Sequence, residues 1–551
     1  MGRVLGAIVG AAFFIWIAGT RVLDPGEIGW LMRFDWPVHF FGWHFFRHEP
    51  WQWPPGLIRT YGAPMGTAIG FTDSIPLVVL ALKPFSAWLP ATFQYIGGWL
   101  FLCFTLQGLS GAWLMSQWSG RTWHQVLAAV LFVMMPVLLI RIGHPALCAQ
   151  WLLVWVLVIA ARDVRARFRT VEWGLLGLIA GLLHPYLAVM ALALLVAVVL
   201  TPAPQSSAPR AAALAAAMTA TMAGWWISGL FSVSGAGSMA TEGLGYYSMN
   251  LLGPITPAGW SVVLPDLPRA TPGQEFEGFQ YLGLGTLLLM AGAAGLWLRR
   301  GPHTPKAQRG PAVPMGFGRP VLAVALLMAA FALSPRVTLG GAVLVDLSGP
   351  WADPLSVFRS TGRFFWPMAY LSLAWALSVV ATRLPSRVGL TLLLCVVVVQ
   401  AVDLHGAHEE RRRSARDPAF YAWSDPMASP AWNRILVDYD HLVLYPPSQC
   451  GTPPMPFEPA AYHAGLAGLS INTGGAARPD LSERMTYCHD LGERLKAGLV
   501  EDDSLYIVDR AEMQAIRDAS HHAAVCGLVT GVPVCASAAS YQRWRDVADL
   551  Q

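Results

Sequence analysis

Charge is what this chain has least of. Asp, Glu, Lys and Arg make up only 13% of its 551 residues, against 55% hydrophobic ones, where an ordinary soluble domain carries about 25%. A net charge of +4 is too small to suggest a nucleic-acid partner, and the basic residues sit in short loops where topology accounts for them. With a mean hydropathy of +0.46 the composition is that of a polytopic membrane protein. Other absences narrow the class. No Cys-x-x-Cys or His/Cys pair has the spacing of a zinc site. No internal repeat is found, and the apolar runs carry almost no charge, which argues against a coupled transporter with ions at the midplane. No small-residue cleavage site follows the apolar residues 4–20, so they read as a first span that stays.

Apolar runs at about 4–22, 91–115, 124–141, 146–161, 171–184, 185–200, 211–231, 280–298, 319–335, 366–382 and 388–403 read as spans of a polytopic α-helical membrane protein, several of them short for a perpendicular crossing. His184 and Pro185 interrupt residues 171–200, which therefore read as two short helices. The run 74–90, broken by Lys83, Pro84 and Pro90, reads as re-entrant or interfacial. Arg3, Arg121, Arg162, Arg165, Arg167, Arg169, Arg210, the Arg299–Arg319 loop, Arg383 and Arg387 place one side in the cytoplasm. The external side then receives the large loops 23–90, 232–279 and 336–365. It also receives the tail 404–551, although Arg411, Arg412 and Arg413 pull the other way. The expected localisation is the bacterial inner membrane, with the N-terminus cytoplasmic and the tail periplasmic.

The tail reads as a small α/β soluble domain. Residues 441–445 and 504–509 look like buried strands, and 480–498 and 510–520 have a helical pattern. It holds no glycine-rich phosphate loop and no nucleophile elbow. Four of the seven cysteines, Cys450, Cys488, Cys526 and Cys535, lie in it, while Cys103, Cys148 and Cys395 lie in apolar runs. Four thiols in one soluble domain suggest an oxidising compartment and up to two disulfides, their pairing open. Residues 301–315, rich in Gly and Pro, read as a cytoplasmic linker.

Polar residues gather in the external loops. Read as a helix with Pro37 in its first turn, the stretch 35–47 puts Asp35, His39, Trp43 and Arg47 on one face, an amphipathic helix at the membrane surface. Asp73 follows in the same loop. Arg141 and His144 stand at the mouth of two spans, His184 at the tip of the short hairpin, Glu275 and Glu277 in the next loop. Arg359 and Arg363, four apart, read as a pair able to grip one anion. Arginines beside spans on the external side need a reason, and a lipid phosphate supplies one, because guanidinium binds phosphate with a bidentate fork. A carboxylate facing a lipid-phosphate site suggests glycosyl transfer. The leaving phosphate must be neutralised and the acceptor hydroxyl needs a base. Asp35 is the candidate base, Asp73 the second, and His39 a partner that orients or shares a proton. Arg47, His44, His144, His184, Arg359, Arg363 and Glu275 are candidate contacts to the sugar phosphate. An activated sugar phosphate requires no cofactor, and no ligand cluster for a divalent metal declares itself.

The pattern Asp35, His39, Phe40, Gly42, Trp43, His44, Phe45, Phe46, Arg47 with Phe71, Thr72, Asp73, Ser74, Ile75, Pro76, Leu77 resembles the GT-C superfamily of integral-membrane glycosyltransferases, and more closely an uncharacterised bacterial branch of it. The likeness covers about residues 4–403. It implies a GT-C-like domain over residues 1–403, with about 11 spans and juxtamembrane helices. It further implies inverting-type transfer from a polyprenyl-phosphate sugar at the external face, with Asp35 as base. The chain departs from the family in lacking an acidic pair in the first loop and a second acid near His144. The alternatives are a lipid or lipid-linked glycan flippase or transporter, a glycan ligase or polymerase, and a non-catalytic assembly protein.

Overall fold

The structure is a computed structural model, and it describes residues 1–163, 167–202, 206–232, 243–299, 317–474, 481–520 and 523–542. Arg165 and the linker expected at 301–315 lie outside these. The chain divides into two compact units, one of Met1–Asp24, Tyr95–Gly224 and Ala240–Asp417, the other of Pro25–Gln94, Trp225–Met239 and Pro418–Gln551.

The first unit is helical. Each of the eleven apolar runs contains a helix. By length and composition, however, three helices among the described residues, rather than about eleven, are able to cross a membrane: Ile96–Met115, Thr361–Arg383 and Ser386–Asp403. Thr122–Val133 with Pro136–Gly143, bent by 48°, counts as a fourth if taken as one span. Helices such as Gly2–Ala18, Thr170–Leu183 and Pro185–Leu200 are apolar but shorter. The break expected at His184 is present. Its backbone is extended (φ −163°, ψ 136°), and its Nδ1 accepts the Tyr186 N–H that starts the next helix. Gly2–Ala18 lies so close to Ile96–Met115 that a Cβ at Gly10 would fall 2.0 Å from the Phe104 carbonyl oxygen. Small residues at such a crossing let dispersion act over the full helix length.

Residues 248–282 form an ordered platform rather than a slack loop. Asn250 donates to Gln274 (3.1 Å) and to the Gly340 carbonyl (2.9 Å), and accepts from the Gly340 N–H (3.0 Å). Fully buried Asp403, the last residue of its helix, accepts from the Tyr281 hydroxyl (2.7 Å), the Leu284 N–H (2.9 Å) and the Ser261 hydroxyl. Buried polar groups satisfied in this way hold a loop in one conformation.

The second unit is built on a five-stranded sheet in the order Ser470–Ile471, His441–Tyr445, Ser504–Val508, Val532–Ser537, Ala524–Val529. The first three strands are parallel and the last two form an antiparallel hairpin. The strands and helices expected in the tail are in place, the helices as Leu481–Lys496 and Arg510–Ala519. On one face Val443, Leu495, Tyr506, Val508, Ile516 and Cys535 make a core, and the strand Ser504–Val508 is buried at every position. The four tail cysteines form two disulfides, Cys450–Cys488 and Cys526–Cys535. The first loop extends this sheet: Ala63 N–H donates to the Ile471 carbonyl and Ile471 N–H to the Thr60 carbonyl, both at 2.8 Å. In space, therefore, the loop 23–90 belongs largely with the tail, and residues 404–417 belong with the helical unit, a different division from one cut at residue 403.

The helix expected at 35–47 is present as Trp36–Phe46, but it is not an amphipathic surface helix. Phe40, Phe41, Trp43, Phe45 and Phe46 are each at most 2% exposed, as are His39 and His44. Phe41 meets Phe457 edge-on and His44 stacks on Tyr462, both from the Phe457–Ala467 helix. A helix apolar on all sides is a core helix.

Candidate functional site

Four polar side chains converge in the helical unit. The bent segment Pro136–Leu139 runs into a 3-10 turn, Ile140–Gly143, that presents Arg141 and then His144. Glu277 follows the 3-10 turn Pro272–Glu275, and Arg363 sits in the 3-10 turn Thr361–Phe365 that leads into Trp366–Arg383. The Glu277 and Arg363 segments are pressed together: a Cβ at Gly362 would lie 2.8 Å from the Gly278 Cα. The Glu277 carboxylate takes Arg141 Nη1 at 2.7 Å and Arg363 Nε at 2.6 Å on one oxygen, and His144 Nε2 at 3.2 Å on the other. Arg141 also donates to the Phe276 carbonyl. The Arg363 guanidinium lies 4.7 Å from the centre of the Tyr186 ring, whose hydroxyl accepts the Ser360 N–H at 3.0 Å. Arg141 is 2% exposed and His144 24%, so the cluster is sealed at the arginines and open at the imidazole.

Burial by itself would raise the Glu277 pKa. Arg141 and Arg363 beside it, with the His144 hydrogen bond, outweigh burial and hold it well below the usual carboxylate range. Glu277 is therefore a fixed anion and a poor base. Its role in this geometry is to aim two guanidinia. Two permanent cations face one carboxylate, so these three groups together carry a positive charge. Such a site suits a second anion.

The remaining expected residues divide between structural roles and a separate group. Arg359 is exposed over the Tyr247 ring at 5.8 Å. It does not share a face with Arg363, because the backbone breaks at Ser360 between two 3-10 segments, and the four-residue spacing marks one face only in a continuous helix. Glu275 pairs with Arg269 at 2.6 Å, on the surface. His184 caps a helix, as described above. In the second unit both terminal nitrogens of Arg47 are engaged by main chain. Its guanidinium donates to the carbonyls of Pro90 (2.8 Å), Ala91 (3.0 Å), Ser86 (3.0 Å) and Leu89 (3.2 Å), a clamp on that segment rather than a phosphate ligand. His44 donates from Nε2 to the Tyr462 carbonyl at 2.9 Å, and burial pushes its pKa down to about 3. His44 is thus a neutral core histidine.

Asp35 is exposed at the head of the Trp36–Phe46 helix. His39 Nδ1 lies 3.2 Å from the Asp73 carbonyl, and Asp73 itself has φ 50°, a left-handed conformation that Asp tolerates better than most residues. These two expected residues are neighbours, but through main chain. Among the described residues no group of three His, Cys, Asp or Glu is arranged to hold a metal. Glu277 was noted in its loop from the sequence but, unlike Glu275, not chosen as a site residue. Its signal was the pair of arginines at span mouths, which require a counter-ion.

A family model described as "Domain of unknown function (DUF6311)" matches residues 7–405, and one described as "DUF6311 C-terminal domain" matches residues 431–537. No curated protein matches the chain.

Proposed function

The chain belongs to the DUF6311 family, and we propose that it is a membrane glycosyltransferase. It moves a sugar from a polyprenyl-phosphate donor to an acceptor hydroxyl at the external face of the bacterial inner membrane. The observation that carries the reading is the Arg141–Glu277–Arg363 cluster with His144. A lipid phosphate needs fixed guanidinia, and a carboxylate that cannot take up a proton keeps them aimed. In this reading the apolar helices form a GT-C-like membrane domain, and the tail lies in the periplasm. Two disulfides in the tail suit an oxidising compartment.

The acceptor oxygen attacks the anomeric carbon, its proton passes to a carboxylate, and the bond from that carbon to the phosphate oxygen breaks with inversion. The lipid phosphate leaves towards Arg141 and Arg363. Asp35, exposed at the head of its helix, and after it Asp73 with His39, are the carboxylates proposed as base from the sequence pattern alone. In this reading Arg47, His44 and His184 serve the fold rather than contact the sugar phosphate.

The test is transfer of labelled sugar from polyprenyl-phosphate donors by the purified protein. Asp35→Asn is expected to abolish transfer with donor binding intact, and Arg363→Ala to weaken donor binding. Wild-type protein that transfers nothing yet scrambles lipid across proteoliposomes would replace the transferase with a flippase.

A further inference from the structure

We propose that the tail carries a binding site for a neutral saccharide, in the cavity between its sheet and the Leu481–Lys496 helix. The cavity measures about 490 Å³, within the range of small-molecule sites. Its floor is the first half of the strands His441–Tyr445 and Ser504–Val508. One wall is the helix face bearing Tyr487, Asp490 and Arg494, and Ala63 and Pro64 close the edge where the first loop joins the sheet.

Two features give the ligand class. The first is charge. Asp490 and Glu501 line the cavity against the single guanidinium of Arg494, which Glu501 holds at 2.6 Å. Two carboxylates against one cation leave the lining negative by one, which disfavours phosphates and acidic sugars, while carboxylates accept readily from hydroxyl groups. The second is preorganisation. Asn472 accepts the Leu444 N–H (2.9 Å) and donates both to the Leu444 carbonyl (3.0 Å) and to the Tyr487 hydroxyl (3.1 Å), fixing that ring at the cavity wall. The neighbouring residue, Cys488, is tied by its disulfide to Cys450 in the loop after the first strand. A fixed aromatic ring beside acceptors and one guanidinium suits a ring of alternating C–H and O–H groups. Naming that saccharide as the acceptor rests on the transferase reading; the binding site itself does not.

The experiment is calorimetric titration of the full chain in lipid nanodiscs, because a maltoside detergent would itself compete. The probes are glucose, N-acetylglucosamine, maltose and mannobiose, with glucose 6-phosphate as the anionic comparison and no donor present. At least one neutral sugar is expected to bind and the phosphate to bind more weakly than its parent. Asp490→Asn and Arg494→Gln, both at exposed helix positions, are each expected to weaken binding about tenfold. Absence of binding by all four neutral sugars overturns the proposal, as does preference for the phosphate, or unchanged affinity in both variants. Wild-type protein that binds a neutral sugar yet transfers none from a polyprenyl-phosphate donor would overturn the transferase reading and leave the cavity's assignment standing.

Discussion

Replacing Glu277 by Gln is the sharpest perturbation of the arginine cluster, because it keeps shape and removes charge. Arg141 and Arg363 are 2% and 9% exposed, so without the carboxylate each becomes a buried cation facing another. Breaking a buried pair by removing one partner costs about 3–5 kcal/mol. Gln retains one acceptor oxygen for one of the guanidinia, which puts the expected loss near about 3 kcal/mol. At roughly 2–4 °C per kcal/mol for domains of this order, the unfolding midpoint should fall by on the order of 6–12 °C, followed by tryptophan fluorescence in nanodiscs. Arg363→Met in the Glu277→Gln background removes one of the two opposed cations. The double variant should therefore be less destabilised than the two single changes added together, by about 0.5–3 kcal/mol. A midpoint within about 1 °C of wild type for Glu277→Gln, or strict additivity in the cycle, would refute the coupling argued here.

The same cluster sets a pH dependence. Glu277 titrates lower folded than unfolded, so its contribution is complete above the unfolded pKa of about 4.5 and is lost as pH falls through the lower folded value. Glu277→Gln should accordingly flatten the acid limb of stability below about pH 4.5. His44, at about 3 folded against 6.5 unfolded, contributes fully above pH 6.5 and loses about 1 kcal/mol per pH unit below it. His44→Gln should reduce that slope between pH 6.5 and 5, as read by urea titration. Arg47→Met should leave donor binding unchanged while raising hydrogen exchange across residues 83–91, whose carbonyls it holds. Gly465→Ala should cost about 1–3 kcal/mol, because its Cβ would fall 2.3 Å from the His44 ring; an unchanged midpoint would show that this packing yields freely.

Periodicity made the helices and the tail strands readable. The strand His441–Tyr445 and the helix Arg510–Ala519 fall within a residue of their expected bounds, because a buried strand and a one-sided helix each leave a local mark. The break at His184 was equally local, a proline and the residue it constrains. The pairing of the four tail cysteines was not local. Cys526 and Cys535 face each other across a hairpin, and only the register of that hairpin decides it. The partnership of the first loop with the tail was also beyond reach, since the main-chain bonds between Thr60, Ala63 and Ile471 and the packing of Phe41 and His44 on Phe457 and Tyr462 join segments far apart in sequence.

Charged residues on aromatic helices misled for a physical reason that can be reused. Asp35, His39, Trp43 and Arg47 recur every four positions, and that spacing suggested a polar edge. The same helix, however, carries Phe40, Phe41, Phe45 and Phe46 around its remaining circumference, which leaves no broad polar face for water or headgroups. A guanidinium on such a helix must find its acceptors inside the protein, and Arg47 finds four carbonyls at the end of the segment 83–91. Arg363 differs in one respect: its nearest acceptor is the side chain of Glu277 rather than main chain. A carboxylate can be displaced or shared by an incoming phosphate, whereas four carbonyls locked in a chain reversal cannot be. That contrast favours Arg363 over Arg47 as the partner of the proposed lipid phosphate, although both stand next to apolar segments.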